Sequence, residues 1–97
     1  MKILLVCAAG MSTSLVVEKM RAYAAEGTII ESTLASEFQN KVKDFDVFLI
    51  GPQLRYRKDE FLEIAKKNDK KIGFIDPVMY GRLMGKEIYQ QAIDLLK

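Results

Sequence analysis

Histidine is absent from this chain of 97 residues, and cysteine occurs once, at position 7. Without imidazole, and with a lone thiol, metal chemistry of the zinc type is not expected. A single cysteine cannot close an internal disulfide, which suits a reducing cytosol. No stretch approaches the ~20 apolar residues of a membrane span. The opening ILLVC is too short for the apolar core of a secretory leader and reads as the start of the fold. Charge of one sign is also scarce: 15 Lys and Arg against 13 Asp and Glu leave a formal +2. That argues against nucleic acid as a partner, since non-specific binding needs a strongly basic face. Repeats, linkers and low-complexity stretches are missing too.

What is present is an ordinary globular composition, 49% apolar and 29% charged. The length suits one domain, residues 1–97, and a chain of that size buries roughly 60–70% of its unfolded surface. The lysines are diluted by acids, as in KDEFLEIAKKNDKK, the pattern of a solvated helix face.

Residues 3–6 (ILLV) form a short continuous apolar run, the mark of a strand buried on both faces. Val16, Val17, Met20 and Ala24 then recur at helical spacing, with Gly27 as a stop. Residues 28–32 (TIIES) read as a more polar strand nearer an edge, and residues 36–43 as a short helix capped by Ser36. Residues 47–50 (VFLI) are a third strand, ended by Gly51-Pro52 because proline cannot donate to a ladder. A helix over 59–68 carries Phe61, Ile64 and Ala65, with acids early and lysines late as its dipole prefers. Residues 72–75 (IGFI) are a fourth strand, and residues 81–96 a closing helix with Met84, Ile88, Ala92 and Leu95 on one stripe. This alternation predicts an α/β fold with a parallel sheet covered on both faces.

In such sheets ligands bind at the carboxyl ends of strands, and Cys7 stands at one, just before a helix. Amide groups at a helix start lack internal partners, and the dipole adds positive character, which favours an anion and a thiolate there. Ala8, Ala9, Gly10 and Met11 follow, then Ser12, Thr13 and Ser14 add hydroxyls. The loop from Ala8 to Ser14 is thus a candidate phosphate cradle, with Cys7 a nucleophile able to hold a phosphoryl group. The bland alternative is that Cys7 is a small buried apolar residue. The small-residue loop and the hydroxyl cluster favour the chemical reading.

The spacing of Cys7, five residues, Thr13, Ser14 has the length of the Cys-x5-Arg-Ser loop of tyrosine phosphatases, with Thr13 where their arginine would be. A guanidinium grips the equatorial oxygens of the transferring group. Losing one preorganised donor of that kind costs about 2.7–4 kcal/mol or more. Attack by water on a cysteinyl phosphate is then slow, which suits a carrier better than a hydrolase.

The run CAAGMSTSLVVEKM resembles the loop and first helix of the lactose/cellobiose-type IIB components of the phosphoenolpyruvate-dependent sugar phosphotransferase system. LIGPQLRY resembles the same family's Leu-Leu-Gly-Pro-Gln-x-x-Tyr segment, and IDPVMYG its Ile-Asp-x-x-x-Tyr-Gly segment. The segment SEFQNKVKDF matches least. The resemblance implies a three-layer sandwich, with a four-stranded parallel sheet in order 2-1-3-4 and flanking helices, similar to low-molecular-weight tyrosine phosphatases. It implies that Cys7 takes a phosphoryl group from a phosphohistidine on a IIA protein. Cys7 would pass it to a sugar, such as the β-linked disaccharides cellobiose, chitobiose or lactose, held by a membrane IIC transporter. No cofactor or metal is implied. The expected chain is a cytoplasmic monomer, peripheral at the transporter. The alternatives are a low-molecular-weight phosphatase-like hydrolase and a regulatory module in which Cys7 is structural.

Asp76 allows two readings: a cap for the turn that Pro77 starts, or a carboxyl acting on the phosphocysteine. Gln53 and Tyr80 are auxiliary or docking candidates on the same rim. Met11, Leu54, Val78, Met79 and Tyr80 are expected to form an apolar collar for the partner proteins. Arg55, Arg57 and Arg82 read as surface charges. Gly81-x-x-x-Gly85-Lys86 is one residue short of a nucleotide loop, and redox chemistry would need a second thiol.

Overall fold

The computed structural model describes residues 1–8 and 13–97. Strand β1 (Lys2–Cys7) leads to helix α1 (Thr13–Arg21), and β2 (Ile29–Leu34) to a segment centred on the four-residue helix α2 (Phe38–Lys41). β3 (Val47–Ile50) is followed by a 3-10 turn over Pro52–Arg57 and helix α3 (Lys58–Lys67). β4 (Lys71–Phe74), α4 (Pro77–Gly81) and α5 (Gly85–Leu96) complete the described elements. The four strands are parallel in the order β2-β1-β3-β4, as expected.

The centre of the sheet is where the continuous apolar runs lie. From Ile3 to Cys7 every residue of β1 is buried, and so is all of β3, whereas β2 and β4 at the edges expose alternate or scattered positions. Period-two alternation divides β1 between two cores. Ile3 and Leu5 face Val16, Val17 and Met20 of α1 and Ile88 and Ala92 of α5. Leu4 and Val6 face Phe38, Phe48 and Phe61 on the opposite side. There Phe38 meets the rings of Phe48 and Phe61 edge-on, at centroid distances of 4.9 and 5.5 Å. By the same alternation Cys7 belongs to the side of α1 and α5.

Several boundaries differ from the sequence expectation, each for a local reason. The middle helix is one α-turn between two 3-10 turns, Ala35–Glu37 and Val42–Asp44, and no side chain caps it, Ser36 included. Its shape follows from burying Phe38, Val42 and Phe45 rather than from helix propensity. Helix α1 stops at Arg21, where Tyr23 and Ala24 turn back with tighter bonds to the carbonyls of Met20 and Arg21. Gly27 instead serves the turn into β2, at φ +85°.

The closing helix starts at Gly85 rather than Gly81, and the turn expected at Pro77 is a short helix of its own. Asp76 and Pro77 start α4, Leu83 at φ +53° breaks the path, and α5 begins afresh at Gly85. A Cβ on Gly85 would lie 2.5 Å from the carbonyl oxygen of Lys19, so only glycine lets α5 approach α1 this closely. Gly81 has open space around its missing Cβ. Gly85→Ala is therefore expected to lower stability by about 1–3 kcal/mol through overpacking. Gly81→Ala should be neutral or stabilise by up to about 1 kcal/mol. Urea midpoints of the two variants check the contrast.

Candidate functional site

The carboxyl ends of the strands make one rim. The Gly51 amide donates to the Val6 carbonyl at 2.8 Å, and the Ile75 amide to that of Ile50 at 3.0 Å. These bonds extend the ladder past the strands, bringing Gly51-Pro52 beside the end of β1 and Ile75-Asp76 beside the end of β3. Cys7 is the last residue of β1, paired with Leu34 at the end of β2, and 8% exposed. Its Sγ donates to the Thr33 carbonyl at 3.2 Å. The thiol is therefore held toward β2 by a backbone acceptor.

Thr13, the first residue of α1, is 4% exposed, and its Oγ1 shares a hydrogen bond with the Tyr80 hydroxyl at 3.1 Å. Among the described residues, Thr13 and Thr33 are the buried polar ones, and both stand at the Cys7 end of the sheet. Buried polar groups gather where they are used or satisfied, and here the two sets coincide. Burial pushes the Tyr80 phenol above its ordinary pKa, the Thr13 hydrogen bond pulls it down, and a negative Cys7 would add to the rise. Tyr80 is thus held as a neutral phenol between α4 and α1.

Asp76 is exposed, and its Oδ1 accepts from the amides of Val78 and Met79 at 2.8 and 3.2 Å. It caps α4. Gln53 is exposed on the 3-10 turn, whose i, i+3 spacing sorts its side chains into stripes. Leu54 and Arg57 form the inner stripe: Leu54 is 2% exposed within the second core, and Arg57 lies over Phe61 and forks onto Glu60 at 2.8 and 2.9 Å. Gln53 with Tyr56, and Arg55 with Lys58, form the outer stripes. Ser14 is exposed on α1, and Ala8 is half-buried. Ala9, Gly10, Met11 and Ser12 of the expected cradle lie outside the described residues.

The expected collar is corrected in part. Leu54 packs in the core and Tyr80 is 8% exposed, so neither is surface; Met79 is half-buried, Val78 is 57% exposed, and Met11 lies outside the described residues. Val78 is joined as an exposed apolar side chain by Leu15 in the first turn of α1, Leu34 at the end of β2 and Tyr56 on the turn after β3. Leu34 was missed because residues 28–32 were read as the whole second strand. The spacing of Ile30 and Thr33 inward with Leu34 outward is visible only once the edge register is known. The Thr33 carbonyl leaves no sequence signal, because any residue supplies one.

Replacing Tyr80 by Phe removes the bond to Thr13 and should cost about 0.5–1.5 kcal/mol near neutral pH. The folded chain holds the phenol proton more tightly than the unfolded chain, whose value is near 10. The contribution is therefore complete below about pH 10 and declines as pH rises through the folded value. The stability gap between wild type and Tyr80→Phe, followed by thermal or urea unfolding, should narrow above pH 10.

The chain matches the family model described as the PTS system, lactose/cellobiose-specific IIB subunit, over residues 2–91. It is 39% identical to an oligo-beta-mannoside-specific EIIB component of Bacillus subtilis, over 98% of this chain and 95% of that protein. It is 34% identical to a galactose-specific EIIB component of Lactococcus lactis subsp. cremoris, over 97% of this chain and 94% of that protein. A solved cellobiose-specific IIB protein from Borrelia burgdorferi superposes with a TM-score of 0.81 at 38% identity, covering 98% of this chain and 90% of that one. The lactose-specific IIB domain from Streptococcus pneumoniae superposes with a TM-score of 0.87 at 17% identity, covering 100% and 98%, a likeness of fold.

Proposed function

The chain belongs to the lactose/cellobiose-specific IIB family of the sugar phosphotransferase system, and from that premise we propose that Cys7 is its phosphoryl carrier. The sulfur attacks phosphorus on a phosphohistidine of the cognate IIA protein. The P–N bond breaks with its electron pair returning to the imidazole, the S–P bond forms, and the thiol proton departs. A sugar hydroxyl held by the IIC transporter then attacks phosphorus. The P–S bond breaks, the hydroxyl proton is released, and Cys7 is regenerated as a sulfur anion that recovers a proton.

The observation that supports this reading is the position of the chain's one cysteine, buried at 8% exposure, at the carboxyl end of a central strand, the same end of the sheet as the buried Thr13 and Thr33. In the resting state the S–H group donates to the Thr33 carbonyl. A phosphorylated sulfur has no proton to give, so the side chain leaves that acceptor as it takes up the group. The hydroxyl of Thr13, which faces Tyr80, and the residues from Ala8 to Ser14 serve as the cradle. Leu15, Leu34, Tyr56 and Val78 offer apolar surface on which IIA and IIC dock in turn.

Two features favour carrying over hydrolysis. Thr13 supplies no guanidinium to steady attack by water. Asp76 Oδ1 accepts from two amides of α4, the arrangement of a helix cap. The relatives named above differ in sugar, oligo-beta-mannoside and galactose among them. That spread fits a division of labour in which the transporter recognises the sugar, here a β-linked disaccharide such as cellobiose, chitobiose or lactose. Among the described residues no helix is long and apolar enough to cross a membrane, which fits a chain that works against the transporter from the cytoplasm.

With labelled phosphoenolpyruvate and the upstream carriers, label should appear on Cys7 and only when IIA is present. Cys7→Ser should remove carrier activity, by at least a thousandfold in sugar phosphorylation. The isolated chain should turn over aryl phosphates no faster than the Cys7→Ser variant; brisk turnover would instead establish the hydrolase.

A further inference from the structure

A groove of about 500 Å³ opens beside the Cys7 rim, between the end of β4 and α5. Phe74, Met79 and Leu95 make its apolar lining, and Asp76, Glu87 and Asp94 supply carboxylates. No lysine or arginine lines it. Among the described residues neither Asp76 nor Glu87 has a cation within ion-pair distance, and Asp94 meets Lys97 at the far end, at 3.4 Å. The wall adds a separate sign of an absent donor. Gln91 gives its Nε2 to the Phe74 carbonyl at 3.1 Å, which orients the amide. Its buried Oε1 is then the side-chain polar atom among the described residues left without a hydrogen-bond partner. An apolar trough with carboxylates along it and no cation in its lining fits a segment with apolar and cationic side chains.

Continuity with the site narrows the occupant. Asp76 and Met79 belong both to the groove and to the α4 turn that carries Tyr80 to Thr13. A chain lying in the groove therefore reaches the Cys7 rim. Two proteins visit that rim in the function proposed above, a soluble phosphodonor and a membrane transporter. As a general rule of membrane topology, cytoplasmic loops of membrane proteins carry a surplus of Lys and Arg. The phosphodonor presents an anionic phosphoryl group. We propose that the groove docks a Lys/Arg-bearing cytoplasmic loop of the sugar transporter, and so governs delivery of the phosphoryl group to sugar rather than its loading onto Cys7. This rests on Cys7 being the carrier.

Charges at the rim of an interface act mainly through association rate and its salt dependence. The test separates the two half-reactions. Loading is followed as label on Cys7 from purified upstream carriers, and delivery as label on sugar from the preloaded chain with inside-out vesicles of the native membrane. Glu87→Lys with Asp94→Lys should slow delivery at least tenfold at low salt and leave loading within twofold. Glu87→Gln with Asp94→Asn, which disturbs α5 less, should slow delivery severalfold, with the deficit shrinking as salt rises. Delivery unchanged in both pairs, or loading slowed as much as delivery, overturns the docking. Failure of the wild-type chain to take label on Cys7 overturns the carrier reading, and the docking with it.

Discussion

The in-register parallel ladder is the constraint from which the rest of the molecule follows. Because β1 and β3 are buried on both faces, they tolerate only short apolar runs, and their length is set by where those runs end. Parallel pairing then forces all the carboxyl ends to one rim. The bonds from Gly51 to Val6 and from Ile75 to Ile50 carry the alignment just beyond the strands. Cys7 is thus placed by backbone geometry, and its thiol meets a carbonyl, that of Thr33, belonging to the same ladder. A thiol mounted this way is positioned by the central ladder of the sheet itself.

A second chain of cause runs through α4. Asp76 caps two amides, and Pro77 supplies the fixed φ that a first helical position favours. The five-residue helix that results has little stability of its own. What it does is deliver Tyr80 into the core beside Ile75 and Ile88, with the hydroxyl on Thr13. The break at Leu83 follows from the same demand. α5 must begin at Gly85 to lie against the Lys19 backbone, and one straight helix could not satisfy both Tyr80 and Gly85. An exposed carboxylate on the surface therefore helps fix a buried hydroxyl pair near the thiol.

Which parts were legible in the sequence depended on what encoded them. The central strands were written as uninterrupted apolar runs and their ends as Cys7 and Gly51-Pro52, so the sheet and the place of Cys7 at its rim could be read directly. The Asp76 cap was legible because Asp-Pro carries its own local chemistry. The segment around Phe38 was not, because its shape comes from three aromatic and aliphatic anchors finding the sheet, while its polar residues have no strong local preference. The start of α5 was read four residues early because Met84, its N-cap, keeps helical spacing with Ile88, Ala92 and Leu95. Leu54 looked like surface because it follows a proline turn, yet the 3-10 spacing turns it inward with Arg57. Long-range pairings such as Thr13 with Tyr80, sixty-seven positions apart, leave no local trace at all.

The distribution of charge around the rim has its own logic. A cysteinyl phosphate is strongly anionic, and carboxylates facing it would oppose its formation. The acidic residues here are arranged to avoid that conflict. Asp76 spends an oxygen on two amides at a helix start, where positive partial charge offsets its own. Glu87 and Asp94 lie along α5 in the groove. Among the described residues, the thiol meets a neutral carbonyl, and the hydroxyl and phenol paired at the same end of the sheet are neutral too, the phenol because burial disfavours its ionisation. Negative charge is set aside for the surface, where it can steer a partner, and the interior of the site is left to groups that can accommodate an anion without either clamping or repelling it. A hydrolase gains from a clamp; in the function proposed for Cys7, a carrier that must release its cargo to the next protein gains from neutral groups such as those described here.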